Sequence, residues 1–120
     1  MRRNILVVDD SVTARHRVCS LLEAEGHTTT QAANGVDAVA IAANDDFDLI
    51  LMDVNMPVLN GMGALERLKK KASTAGVPVV MVTTEKKPPL VRRAKELGAA
   101  GWLVKPYSPE ALSAVVGKVA

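Results

Sequence analysis

One cysteine, Cys19, stands alone in the 120 residues, so no internal disulfide holds this chain together. A lone thiol suits a reducing compartment. Cys19 also falls among apolar helical positions, which predicts plain core packing. Aromatic residues are almost missing: Phe47, Trp102 and Tyr107 are the whole set. The core must therefore be packed from Val, Leu, Ile, Ala and Met. No apolar run approaches the ~20 residues of a membrane span. Ile5 to Val8, between Met1-Arg2-Arg3-Asn4 and two aspartates, is far too short for a signal-peptide core. Charge of one sign is also lacking, with a net of +2. Basic residues gather only at Lys69-Lys70-Lys71, Lys86-Lys87 and Arg92-Arg93, short of the continuous stripe that nucleic-acid binding needs. The expectation is a soluble, cytoplasmic protein with no membrane insertion and no direct nucleic-acid binding.

What is present is a hydrophobic fraction of 48% on a chain of single-domain length, enough for a sizeable core. Short β-branched runs alternate with helical patterns. Ile5 to Val8 reads as a buried strand, and Ser11 to Glu25 as a helix with Ala14, Val18, Leu21 and Leu22 inward, stopped by Gly26. Thr28 to Ala32 is a more polar strand, nearer an edge. A helix with Val36, Val39, Ala40 and Ala43 on one stripe follows, then a strand over Leu49 to Met52. Gly61 and Met62 lead into a helix carrying Leu65, Leu68 and Ala72. Val77 to Val82 is the fourth strand. A helix opens near Pro88 or Pro89, where prolines are tolerated in a first turn, with Leu90, Ala94 and Leu97 inward. Gly101 to Val104 is the last strand. Pro109 opens a closing helix with Leu112, Val115, Val116 and Val119 facing the sheet.

Five β-α units without a long linker predict one domain, residues 1–120, in the α/β class. A parallel sheet would be covered by helices on both faces. Ligands of such sheets bind outside the carboxyl ends of the strands. Those ends hold Asp9-Asp10, Asp53, Thr83-Thr84 and Lys105-Pro106. Taken singly, each residue has an ordinary explanation: Asp10 or Ser11 caps a helix, and Lys105 is a surface lysine. Taken together, they place three carboxylates, a hydroxyl and an ammonium at successive strand ends. Crowded carboxylates repel and raise at least one pKa unless a cation intervenes. Removing Asp9 or Asp10 should accordingly raise stability in the absence of metal. Mg²⁺ suits one or two carboxylates, waters and a phosphate oxygen. A carboxylate can itself attack phosphorus to give an aspartyl phosphate.

The segments Val7-Val8-Asp9-Asp10, Asp53-Val54-Asn55-Met56-Pro57 with Gly61, Met81-Val82-Thr83-Thr84-Glu85, and Lys105-Pro106 resemble, in order and spacing, the receiver domain of bacterial two-component response regulators. The likeness covers essentially the whole chain and is nearest to the single-domain chemotaxis type. It implies a flavodoxin-like doubly wound sheet of five strands in the order 2-1-3-4-5 with five helices. It also implies Mg²⁺ held by Asp9, Asp10, Asp53 and the Asn55 backbone carbonyl. Asp53 would be the phosphoacceptor, assisted by Thr83 and Lys105. Thr83 and Trp102 would form the switch, and Asn55 and Glu85 would tune dephosphorylation. Trp102 stands where such domains usually carry a rotating Tyr or Phe. The implied partners are a sensor histidine kinase or phosphotransfer domain and a downstream protein on the last two helices and last strand. The chain itself would be a monomeric phosphoacceptor that catalyses its own phosphorylation and dephosphorylation and not a conventional enzyme.

Two other classes fit worse. A haloacid-dehalogenase-type phosphatase needs a second Asp two residues after the nucleophile, where this chain has Asn55. A flavodoxin-type cofactor binder needs a Ser/Thr/Gly loop after the first strand, where Asp9-Asp10 would repel a phosphate. An excised receiver of a longer regulator, with a DNA-binding or enzymatic output, is the alternative within the class. A full switch from 1:99 to 99:1 needs about 5.5 kcal/mol, and one charged hydrogen bond from Thr83 supplies about 1.5–3 kcal/mol. The expectation is a partial switch completed by the partner.

Overall fold

The structure, a computed structural model, describes residues 2–120. Five strands alternate with five helices: β1 Asn4–Val8, α1 Val12–Ala24, β2 Thr28–Ala32, α2 Gly35–Asn44, β3 Leu49–Met52, α3 Gly61–Lys70, β4 Val79–Thr83, α4 Pro88–Glu96, β5 Gly101–Val104 and α5 Pro109–Val119. The strands form one parallel sheet in the order β2-β1-β3-β4-β5. β1 and β3, the neighbours at its centre, carry almost wholly buried side chains, whereas β2 at the edge is half-buried. The alternation of strands and helices predicts a parallel sheet covered on both faces, and the flavodoxin-like order 2-1-3-4-5 is the one that the resemblance implies.

Because successive strand residues point to opposite faces, each strand feeds two cores. Leu6, Val8, Ile50, Met52, Val79 and Met81 pack with α2, α3 and α4. Ile5, Val7, Leu49, Leu51, Val80 and Val82 pack with α1 and α5, where Val18, Cys19, Leu22, Leu112 and Val116 close the layer. Cys19 is buried core filling, and burial pushes its thiol pKa up. Phe47 is the buried aromatic of the first core.

Local chemistry sets the helix starts. The side chains of Ser11, Asn34, Asn60 and Ser108 each accept a backbone N–H from three residues on, satisfying a donor that the first turn leaves free. Ser11, and not Asp10, is thus the cap of α1. α4 has no side-chain cap and opens on Pro88-Pro89.

Three details depart from the sequence reading. In α2 the buried residues are Gly35, Ala38 and Ala42, while Val36 and Ala40 face solvent. That helix is apolar nearly all round, so periodicity could not choose its inner face. Close packing chose it: a Cβ on Gly35 would lie 2.2 Å from the Leu59 carbonyl oxygen. Ala72 lies beyond α3 in an exposed turn, because the helix ends at Lys70. There the buried Thr74 hydroxyl donates to the Leu68 carbonyl, and Lys69 Nζ donates to the Ala75 and Val77 carbonyls. β4 runs from Val79 through Thr83, so Thr83 is the last strand residue and fully buried.

Candidate functional site

The strand order brings the carboxyl ends of β1, β3, β4 and β5 side by side. One carboxylate oxygen each from Asp9, Asp10 and Asp53 lies within 4.8 Å of the others. Asp9 and Asp53 are buried and Asp10 is exposed. Lys105 reaches in from the end of β5, its Nζ 2.6 Å from Asp9 Oδ2 and 3.9 Å from Asp53 Oδ2. The lysine is thus bonded to Asp9, with Asp53 within reach.

Asp9 and Asp10, alike in sequence, stand differently. Asp9 continues the ladder past β1, its N–H donating to the Ala32 carbonyl at 3.1 Å. Its Oδ1 accepts the Ser11 N–H at 2.9 Å and its Oδ2 accepts from Lys105. Asp10 projects into solvent from the same turn. For Asp53, burial is the leading influence and raises the carboxyl pKa. Lys105 opposes the rise, Asp9 adds to it, and the backbone N–H groups of Val54 and Asn55 oppose it. A buried carboxylate crowded by two others calls for a cation to offset the repulsion before it can serve as a nucleophile.

The loop after β3 is drawn close around Asp53. Gly61 begins α3, and its N–H donates to the Val54 carbonyl at 2.9 Å. A Cβ there would come within 2.0 Å of the Asp53 carbonyl oxygen, so no side chain fits. In the same loop Val58 is 82% exposed and holds a φ of 72°, a left-handed conformation that a β-branched residue seldom adopts.

On the other flank, Thr83 Oγ1 accepts the Glu85 N–H at 3.2 Å. That contact uses a lone pair and leaves the hydroxyl proton for another acceptor. The Glu85 side chain faces Asn55, with Asn55 Nδ2 to Oε1 at 3.4 Å. The Glu85 carbonyl accepts the Trp102 indole N–H at 2.9 Å. Trp102 is half-buried, packs against the α2–α4 core, and is already tied to the β4–α4 loop. A phenylalanine could not make this bond. Sequence reasoning missed the tie, because only the fold brings residue 85 to the indole.

Residues 5–117 match the family of response regulator receiver domains. This chain belongs to that family. The receiver domain is 40% identical to protein PilH of Pseudomonas aeruginosa over 115 residues, spanning 96% of this chain and 95% of PilH. It is 34% identical to chemotaxis protein CheY-3 of Vibrio cholerae, spanning 96% and 89% of the two chains. Among solved structures, Vibrio cholerae chemotaxis protein CheY4 superposes with a TM-score of 0.94 at 37% identity over 100% of both chains. The receiver domain of the Pseudomonas aeruginosa sensor histidine kinase PA1611, with a magnesium ion coordinated in its active-site cleft, gives a TM-score of 0.91 at 25% identity, over 99% of this chain and 98% of that one. Receiver domains are phosphoacceptors of phosphorylation-based signalling, not conventional enzymes. They bind Mg²⁺ at an acidic site and interact with histidine kinases and downstream targets. No helix among the described residues is long and apolar enough to cross a membrane.

Two further residues frame the site without having been singled out in sequence. Arg15, from the second turn of α1, donates to the Asp9 carbonyl. Tyr107 packs against the α1–α5 core beside Lys105 and Pro106, and burial raises its phenol pKa. An Arg at the fourth position of a helix and a Tyr after a Lys-Pro carry no signal of their own. Their roles come from where α1 and the β5–α5 loop lie.

Proposed function

We propose that this receiver domain is a stand-alone, chemotaxis-type switch of the cytoplasm that takes a phosphoryl group on Asp53 from a sensor histidine kinase or phosphotransfer domain. The observation that carries this reading is the buried Asp53 carboxylate, within 4.8 Å of two more carboxylates and 3.9 Å from Lys105. Asp9, Asp10, Asp53 and the Asn55 backbone carbonyl would hold Mg²⁺. When bound, that ion supplies positive charge for the phosphoryl oxygens and relieves the repulsion among the acids. An Asp53 oxygen attacks phosphorus as the bond to the donor histidine nitrogen breaks. The electron pair leaves with the imidazole, which takes up a proton. Lys105 shifts from Asp9 toward the new phosphoryl group, and Thr83 turns its free hydroxyl proton onto it.

Those movements reach the surface through Glu85. When Thr83 turns, the Glu85 N–H loses its acceptor, and the same residue holds Trp102 through its carbonyl and faces Asn55 through its carboxylate. The Thr83 bond is worth about 1.5–3 kcal/mol, well below the about 5.5 kcal/mol of a complete switch. The switch is therefore partial, and a downstream protein on α4, β5 and α5 completes it. Asn55 and Glu85 flank the phosphoryl group and tune its hydrolysis, and the domain acts as a monomer. PilH and CheY-3 support the stand-alone reading, since this chain spans 95% and 89% of their lengths. A gliding motility regulatory protein of Myxococcus xanthus favours a second reading, a receiver within a longer regulator, because the match covers 13% of its length.

Incubation with Mg²⁺ and acetyl phosphate tests the chemistry. The wild type should take up one acid-labile, hydroxylamine-sensitive phosphoryl group, and Asp53→Asn none. Label persisting in Asp53→Asn would place the acceptor elsewhere.

A further inference from the structure

Asp9 has every polar atom engaged. Its N–H bonds Ala32, its carboxylate bonds the Ser11 N–H and Lys105, and its backbone carbonyl accepts Arg15 Nη1 at 2.6 Å. The same guanidinium donates from Nε to Gln31 Oε1 at 3.1 Å, on the edge strand β2. The Asp9 carbonyl and the Asp10 N–H belong to one rigid, planar peptide unit. Fixing that carbonyl therefore fixes the direction in which Asp10 leaves the strand. The Asp10 side chain is exposed and hangs from this unit. We propose that Arg15, braced by Gln31, is a positioning residue that orients the Asp9–Asp10 peptide and so aims the Asp10 carboxylate at the divalent cation.

The inference rests on the metal assignment above, and it runs against simple electrostatics. A guanidinium bonded to the Asp9 carbonyl adds positive charge near the acids, so deleting it for charge reasons alone would tighten cation binding. Positioning predicts the reverse. Outer-shell groups that orient a ligand commonly account for 10–100-fold in metal affinity. A planar fork can hold two acceptors at once, whereas a lysine ammonium keeps the charge and loses the fork.

Calorimetric Mg²⁺ titration of the unphosphorylated chain of residues 1–120 separates these possibilities. Arg15→Lys and Arg15→Met should both weaken Mg²⁺ binding about tenfold, and Gln31→Ala about threefold. The Asp10 amide resonance should move in all three variants before any metal is added. Wild-type affinity in Arg15→Lys, or tighter binding in Arg15→Met, would show that the guanidinium acts only as a charge and overturn the proposal. Earlier melting with unchanged Mg²⁺ affinity would reduce Arg15 to a structural role and overturn it too. If the Arg15 variants do not fold, Gln31→Ala decides: an unchanged affinity there counts against the clamp. Asp10→Ala serves as the reference. Undiminished Mg²⁺ binding in that variant would sink the metal assignment itself, whatever Arg15 does.

Discussion

The two rims of the sheet are built from similar residues and obey different rules. At the amino-terminal rim, polar groups meet in complementary pairs. The Asn4 N–H donates to Asp48 Oδ2 at 2.8 Å, Thr28 Oγ1 donates to Asn4 Oδ1 at 3.2 Å, and the Arg3 N–H donates to His27 Nδ1 at 3.0 Å. At the carboxyl rim three acids crowd together, two of them buried, with Lys105 shared between Asp9 and Asp53. The same rim holds the left-handed Val58 and the side-chain-free contact at Gly61. Where only the fold is at stake, donors face acceptors. The crowding gathers at the end that holds the candidate site, as expected if function is carried at the expense of local stability.

The sharpest way to break this contrast is at Gly61. Gly61→Ala should cost about 3 kcal/mol, since a methyl group 2.0 Å from the Asp53 carbonyl forces α3 and the Asp53 backbone apart. Urea unfolding measures it, and a loss under 0.5 kcal/mol would mean that the close approach relaxes cheaply.

Next in size is the difference between adjacent acids. Asp9→Ala should lose about 2 kcal/mol, because the Ser11 N–H is left without its acceptor and Lys105 keeps only its longer contact with Asp53. Asp10→Ala removes an exposed like charge and should leave the metal-free protein equal or more stable. The sequence alone predicted relief from either substitution, because it could not show that one acid is fully bonded and its neighbour free. Equal melting temperatures of the two variants without Mg²⁺ would refute the distinction.

Val58→Gly should gain about 1 kcal/mol, since it removes left-handed strain at a residue with little packing to lose. A loss in the same thermal melt would show that the valine side chain contributes more than its backbone strain takes away.

The smallest effect expected is a change of slope. Burial raises the Asp53 pKa in the folded state, so protonation favours folding. That contribution is present below the ordinary carboxylate value and is lost as the pH rises through the folded-state value. Without Mg²⁺, wild-type stability should therefore fall over this window relative to Asp53→Asn. Parallel curves for the two proteins would mean that Asp53 titrates alike in both states.

Much of the architecture was legible because strands and helices differ in period and in punctuation. β3 and β5 fall on the residues that their apolar runs mark, and Gly26 and Gly98, both with positive φ, lie just past α1 and α4. Legibility failed where composition is uniform. α2 reads Gly-Val-Asp-Ala-Val-Ala-Ile-Ala-Ala-Asn, so its inner face is decided by how closely small residues approach the Leu59 segment. At the site, the residue types at strand ends could be read, but their bonding could not. That Lys105 sits on Asp9, that Trp102 is tied to the Glu85 carbonyl, and that Arg15 holds the turn all depend on distances between segments far apart in the chain.

The ion pair between Lys105 and Asp9 joins residues 96 positions apart. The Asp9 carboxylate leaves the ribosome well before its ammonium partner does. A nascent chain therefore holds acids without the lysine that balances them until β5 has been made and added to the sheet edge. No fragment that stops before the final βα unit contains the whole site. Assembly of the site is thus linked to completion of the five-stranded fold, and a product truncated before β5 would lack the lysine by construction.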